Sequence, residues 1–428
     1  MLYQKSTSLI RTGFILYGIL LSILLIIKIA TTFNNTIFYE HCFTGWYYAD
    51  WLINYENGFV RRGIAGAVIF SLYKVTGVDV ALMIHIIVIV TTLLLITTVI
   101  YIFYKKKLSM FILPTTVMLG SFVINNINSY RRDALMLLLI FITLYIYKRY
   151  TDCRNIAYYI LFSVIGIATI LMHEASFFCF VPFLLLHRCF NKKNNVFGSI
   201  INSLAFVFPL IITMGAVCLF KGDTETANVI WASWQPAFVE YYGTQLPMSE
   251  AVDALTWETL PTMDYHFTTN YRGRVYRHIP KLFAWIAIYL STFYLCANVN
   301  RVKMFCYEDK KANYTSLTSI LIIQFLSLLP MFTVLSCDLG RIILYWTLTS
   351  FVIFYIFGNE EEKYSPHCLT NLSCKIGNLF NTKILSNRLF YISATITIIC
   401  PLVDFPFPEA LYTSVIGNIY YLVQHYIL

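Results

Sequence analysis

Residues 78–104 read VDVALMIHIIVIVTTLLLITTVIYIFY and run straight into Lys105, Lys106 and Lys107. This run holds a single carboxylate and a single imidazole, and it exceeds the ~20 apolar residues that carry a helix across a bilayer. The lysine triplet marks the side on which it stops. Working outward, further apolar runs occupy 13–33, 108–124, 134–147, 156–172, 175–186, 196–220, 282–299, 316–334, 342–357, 389–403 and 411–428. Together they predict an all-α polytopic membrane protein with about twelve transmembrane helices and two large extracytoplasmic loops.

Composition points the same way. The 428 residues are 58% hydrophobic, 17% aromatic and 12% charged, with a mean hydropathy of +0.66. A soluble domain carries about 25% charged residues. The apolar surplus extends from end to end, so residues 1–428 are expected to form one integral membrane domain. Its long links are a first extracytoplasmic loop at 34–77, a second at 221–281 and a cytoplasmic surface connector at 358–388. The net charge of +9 is explained by position, because nineteen of the 31 lysines and arginines fall in alternate links. That side is predicted to be cytoplasmic and to hold both termini. A nucleic-acid partner is excluded, since no basic stripe with interleaved aromatics exists.

Smaller features are read more briefly. The first apolar run has no small-residue cleavage site and is expected to be a retained signal anchor. The 11 cysteines show no metal-ligand spacing, and Cys42 and Cys337, both placed outside, are expected to stay unpaired. Lys28 and His85, inside spans, are expected to snorkel or to bond a neighbouring helix. No P-loop, dinucleotide fingerprint or zinc-protease motif is present, and no metal or other cofactor is predicted.

The first loop is dense in aromatics from Trp46 to Phe59, which predicts one or two short helices lying at the interface. The second contains Trp231, Trp234 and Trp257 and is expected to fold as a cap of short helices.

Charged residues in the extracytoplasmic links come in compact sets: Asp50, Glu56, Arg61 and Arg62; Arg131, Arg132 and Asp133; His173 and Glu174; Arg272, Arg274 and Arg277; Asp338 and Arg341. Their basic residues are all arginine, whereas the cytoplasmic links are mostly lysine. Arginine's planar fork matches phosphate oxygens bidentately. Positive charge on the outer side runs against the topology rule and implies a polyanionic ligand at that depth. The competing structural readings are an interfacial anchor at Arg61 and Arg62, a helix-dipole pair at Asp133, a buried turn at His173-Glu174, and a simple i, i+3 bridge at Asp338 and Arg341.

The stretch from Asn54 to Gly63, with Arg131-Arg132-Asp133, His173-Glu174 and Asp338-Leu-Gly-Arg341, resembles the O-antigen-polymerase-like membrane proteins of bacterial surface-polysaccharide clusters. It is also similar to class C glycosyltransferases. Arg61 and Gly77 have the Arg-x15-Gly spacing of such polymerases, and the second large loop has no equivalent from Arg272, Arg274 or Arg277. The resemblance implies joining of undecaprenyl-diphosphate-linked oligosaccharide on the periplasmic face of the bacterial inner membrane, with a chain-length regulator as a candidate partner. It implies Glu174 or His173 as proton acceptor and Asp133 and Asp338 as orienting groups. Arg61, Arg62, Arg131 and Arg132 would hold the pyrophosphate, and Arg341 a second phosphate or glycan. Arg272, Arg274, Arg277 and Asp50 complete the substrate-binding set, and the tryptophans of the second loop would stack on sugars. The alternatives are a class C transferase adding one sugar from a polyprenyl-phosphate donor, with Asp50 or Glu56 as base, and a flippase for the same lipid-linked glycan.

Overall fold

The computed structural model describes residues 46–115, 117–121, 131–191, 196–272, 281–300, 302–303, 306–307 and 315–380, with isolated positions near both ends. The expected spans at 13–33 and 411–428, and most of 389–403, lie outside these residues, as do Lys28 and Cys42.

The chain is helical. In order come α1 (Gly63–Thr76), α2 (Val80–Lys105), α3 (Asp133–Cys153), α4 (Ile156–Met172), α5 (Ala175–Asn191), α6 (Val196–Leu219), α7 (Thr224–Tyr242), α8 (Thr259–Phe267), α9 (Lys281–Ala297), α10 (Thr315–Ser327), α11 (Leu339–Phe357) and α12 (His367–Phe380). A two-residue antiparallel ladder pairs Val302–Lys303 with Cys306–Tyr307. Among the described residues, four helical stretches are long and apolar enough to cross a membrane: Val80–Lys105, Asp133–Cys153, Gly198–Leu219 and Leu339–Lys363. Five shorter apolar helices accompany them.

Local chemistry sets the boundaries. The Asp79 carboxylate accepts the Ala81 N–H at 3.1 Å to open α2, and the Asn155 side chain caps α4 through the Ala157 N–H at 2.9 Å. Gly77, at φ 63°, closes α1 in the left-handed conformation that lacks a Cβ penalty. The outward faces of α2, α4 and α6 expose Ile86, Val90, Leu94, Ile160, Val164, Phe208 and Ile212. Polar residues would take those places on a water-facing helix.

The centre of the bundle is α11, which is buried along nearly its whole length. It packs against α2, α3, α5 and α10. Its buried hydroxyls are satisfied on carbonyls: Thr349 Oγ1 donates to Tyr345 O at 2.6 Å and Ser350 Oγ to Trp346 O at 2.6 Å. Trp346 Nε1 donates to Leu321 O on α10 at 2.8 Å.

Two findings differ from the expectation. The run at 108–124 is not one helix in its described part: Met110–Ile112 forms a single 3-10 turn, and turns or bends follow at 113–115 and 117–119. Pro114 removes an N–H that a helix here would use. The segment dips among the helices, and Thr347 Oγ1 of α11 donates to Val117 O at 2.7 Å. Non-helical backbone at such depth is tolerated when protein surrounds it. The connector at 358–388 is also more ordered than a surface link, because α12 packs on α10 and buries Ser373 against Ser319 at 2.9 Å.

A second apolar core lies over one end of the bundle. It joins Tyr48, Trp51, Leu52 and Ile53 to α1, to the start of α2 and to Ile230, Trp231 and Trp234 of α7. The first loop lies directly on α1. A Cβ on Gly66 would come within 2.1 Å of Ile53 O, and one on Gly63 within 2.2 Å of the Tyr55 ring. These glycines let backbone meet helix, which fixes where Asp50 and Arg62 stand relative to each other.

Candidate functional site

Under that cap, four of the five charged sets meet. Asp50 comes from a 3-10 turn, Arg62 from the residue before α1, Arg132 and Asp133 from the start of α3, Glu174 from the turn between α4 and α5, and Asp338 and Arg341 from the start of α11. All are ends of apolar segments, where a charged side chain remains attached to a helix without entering its apolar length.

The residues form two linked quartets. In the first, Arg62 grips Glu174 through Nε, 2.8 Å from Oε2, and through Nη2 on Oε1. Arg62 Nη1 also lies 3.8 Å from Asp50. Asp50 is held from below by Arg132, at 2.9 Å from Nε and 2.5 Å from Nη2. Arg132 Nη1 donates to the Arg62 carbonyl at 2.9 Å. In the second, Arg341 forks onto Asp133 at 3.0 and 2.6 Å and reaches Asp338 at 3.0 Å. Arg131 donates to Asp338 at 2.5 Å, and the Tyr345 hydroxyl donates to Asp133. Arg341 lies within electrostatic reach of both Arg62 and His173, so the quartets act on each other.

Burial gives the site a floor and a mouth. Arg132 and Asp133 are each 1% exposed, whereas the side chains of Asp338, Arg62 and Glu174 are 31%, 21% and 20% exposed. Arg62 holds φ at 63°, a left-handed conformation unfavourable for a bulky residue by about 1–3 kcal/mol. This turn aims its carbonyl at Arg132 and its guanidinium at Glu174.

The electrostatics bear on the expected roles. Burial alone raises a carboxyl, but the Arg62 guanidinium overcomes it and holds Glu174 well below the usual carboxylate range. Arg132 and Arg62 do the same for Asp50, and Arg131 and Arg341 for Asp338. Burial, with Arg62 adding repulsion, pushes His173 down to about 3. The His173 Nδ1 accepts the Ala175 N–H at 3.2 Å, so the neutral ring carries its proton on Nε2. Glu174 with its oxygens in the Arg62 fork, and His173 as an Nε2–H donor, are therefore not ready proton acceptors. In this arrangement the Glu174 oxygens are engaged by Arg62 and the His173 Nδ1 lone pair by the Ala175 N–H.

Arg61 is the surplus cation beside four arginines matched by four carboxylates. Its backbone N–H donates to Phe220 O at 2.9 Å and its Nη2 to Ala254 O at 2.9 Å, which fastens the cap. Its buried Nε has no hydrogen-bond partner among the described residues. Glu56 stands away from the cluster, 3.4 Å from Lys74. Arg272 ends the π-helical turn Thr268–Arg272, its side chain lying outside the described residues, as do Arg274 and Arg277 entirely.

The tryptophans also differ from expectation. Trp234 is fully buried and donates to Leu52 O at 2.7 Å, while Trp231 is buried and donates to Leu246 O at 2.9 Å. They are the core of the cap and cannot stack on sugars. Trp257, 38% exposed against Trp46, remains open. His85 bonds the Tyr48 hydroxyl and lies 2.8 Å from Ala81 O, a helix-bridging role.

Two further groups of the site escaped the sequence reading. Tyr345 sits one turn beyond Arg341, and the i, i+3, i+7 spacing of Asp338, Arg341 and Tyr345 on one helix face was the available signal. His266, on α8, offered none. Its Nδ1 lies 3.2 Å from Val334 O, within electrostatic reach of Asp338 and Arg62. Among the described residues, no group of three or more His, Cys, Asp or Glu is placed to hold a metal ion. Compared with protein-family models, with curated proteins and with solved structures, the chain finds no match.

Proposed function

We propose that the chain is a polymerase joining undecaprenyl-diphosphate-linked oligosaccharide repeat units, O-antigen or capsule, by glycosyl transfer. In this reading about twelve spans cross the bacterial inner membrane, both termini are cytoplasmic, and the quartets face the periplasm. The observation that carries it is the gathering of four arginines and four carboxylates, with Arg61 in surplus, at one partly open end of an apolar bundle. A lipid-linked pyrophosphate brings two phosphates to this depth, its isoprenoid lying along the apolar helix faces and its glycan outside.

The quartets are electrically balanced, so a dianionic ligand enters by exchange. Phosphate oxygens take the part-exposed fork of Arg62 beside Arg61, and Glu174 turns aside within electrostatic reach of Arg61. Those arginines then stabilise the charge that grows on the pyrophosphate as the glycosidic bond breaks. Arg132 and Asp133, on the floor, hold the forks in place. No metal is needed for that charge neutralisation.

The test is a gel of surface polysaccharide from a strain lacking the gene, complemented with wild type or Arg62→Ala. A lipid core capped by one repeat unit, with the ladder restored only by wild type, is the expected result. A full ladder in the deletion strain removes the proposal. A second reading is favoured by the place of Asp50 between Arg132 and Arg62 in the first loop: a class C transferase adding a single sugar from a polyprenyl phosphate. It predicts that Asp50→Asn is inactive and Glu174→Gln active, and a ladder with lighter rungs.

A further inference from the structure

Resting on the proposed glycosyl transfer, we infer that His266 is a catalytic residue that takes the proton from the attacking sugar hydroxyl. The argument begins with what the other candidates are doing. Every carboxylate of the two quartets accepts from a guanidinium, and His173 presents an N–H. Transfer to a sugar hydroxyl releases a proton, and the quartets as built have no ready place for it.

His266 does. A carbonyl only accepts, so the contact with Val334 O places the ring proton of neutral His266 on Nδ1. The lone pair is then on Nε2, which has no hydrogen-bond partner among the described residues. The carbonyl comes from the π-helical turn Met331–Leu335, which packs against α8 and leads through Ser336 into Asp338. One short segment thus sets the tautomer of the base and carries an acid of the site.

The groups facing His266 are the Val334 carbonyl and the Tyr265 ring, with Asp338 and Arg62 within electrostatic reach. Burial, with Arg62 adding to it, lowers its proton affinity below that of a free imidazole, while the Val334 hydrogen bond and Asp338 oppose the change. The ring is therefore neutral at physiological pH and accepts a proton as the hydroxyl loses it. In the balanced step, the hydroxyl oxygen bonds to the anomeric carbon and the bond from that carbon to the pyrophosphate oxygen breaks. The electron pair leaves on the pyrophosphate held by Arg61 and Arg62. The hydroxyl proton moves to His266 Nε2 and from there to water.

The experiment uses the purified full chain in nanodiscs, with a synthetic undecaprenyl-diphosphate-linked repeat unit as donor and acceptor. Turnover is followed from pH 5 to 9, and donor binding separately. His266→Gln is expected to lose on the order of 10²–10⁴-fold in turnover with donor binding intact. Its residual rate should lack the acidic limb expected of wild type. His266→Gly should regain turnover on addition of imidazole, which a purely structural loss would not allow. Wild-type turnover and pH profile in His266→Gln, or failure of imidazole to rescue, would overturn the assignment while leaving the polymerase intact. A wild-type chain that binds the donor but joins nothing, or does not bind it, overturns the glycosyl-transfer reading and His266 with it.

Discussion

The two ends of α3 carry ionic clusters built on different chemistry. Asp133 opens the helix inside the arginine quartets. Tyr147 and Lys148, roughly 20 Å further along at 1.5 Å per residue, belong to the other cluster. There Lys148 Nζ lies 2.6 Å from Glu360 and 2.7 Å from Asp152, and Glu360 also lies 3.2 Å from His187 Nε2. The Tyr147 hydroxyl bonds His187 Nδ1 at 2.8 Å. At that end a point charge and a ring clasp the connector that follows α11. At the Asp133 end, planar forks interlock in pairs and leave a mouth. An ammonium tolerates many geometries and suits a clasp, whereas a fork specifies one and suits recognition of a planar or tetrahedral anion.

Exchanging the two chemistries tests that contrast, and the largest effect is expected on the floor of the site. Arg132→Lys keeps the charge but loses the fork onto Asp50 and the bond to the Arg62 carbonyl. It should abolish polymer on the gel, and incomplete compensation of Asp50 should lower stability toward the roughly 3–5 kcal/mol of a broken buried pair. Lys148→Arg at the other end should leave the ladder normal. Equal tolerance at both ends would erase the distinction.

Acid sharpens it next. His173 has a folded value of about 3 against an ordinary 6.5, so below pH 6.5 the unfolded chain binds a proton that the folded chain refuses. Stability therefore falls as pH drops from 6.5 toward 3, by at most about 1.4 kcal/mol per pH unit. Asp50 and Glu174 act later: their depressed values contribute stability that is fully present above the usual carboxylate range and is lost only in stronger acid. His173→Gln should flatten thermal unfolding between pH 4 and 6.5 and leave the steeper acid loss in place.

The smallest change is Tyr345→Phe. It removes one hydroxyl from Asp133, which Arg341 still holds with two bonds. A loss of about 1–2 kcal/mol in unfolding, with polymer retained, is the expected outcome.

How much of this was legible in the sequence follows from range. The span read at 156–172 coincides with α4, because hydrophobic runs and their polar ends are local properties. The run at 108–124 misled because apolar content says burial, and only Pro114 hinted that the buried backbone is not helical. The charged sets were conspicuous where they interrupt apolar sequence. Their pairing was not, since Arg132 meets Asp50 across 82 positions and Arg341 meets Asp133 across 208. His266 stayed hidden in a polar loop, where an imidazole is unremarkable until the fold brings it within electrostatic reach of Asp338 and Arg62.

The long reach of those pairs has a consequence for how the protein is made. At about 5–20 residues per second, the ribosome delivers Arg341 roughly 10–40 s after Asp133. During that interval Asp133 heads an apolar helix with the partner that will hold it in a fork still unsynthesised, and Arg131 waits equally long for Asp338. The start of α3 must therefore remain near water or a protecting protein until α11 has been made. A chain cut short before α11 carries an unanswered carboxylate at the threshold of its bundle, a lasting mark by which quality control can recognise it.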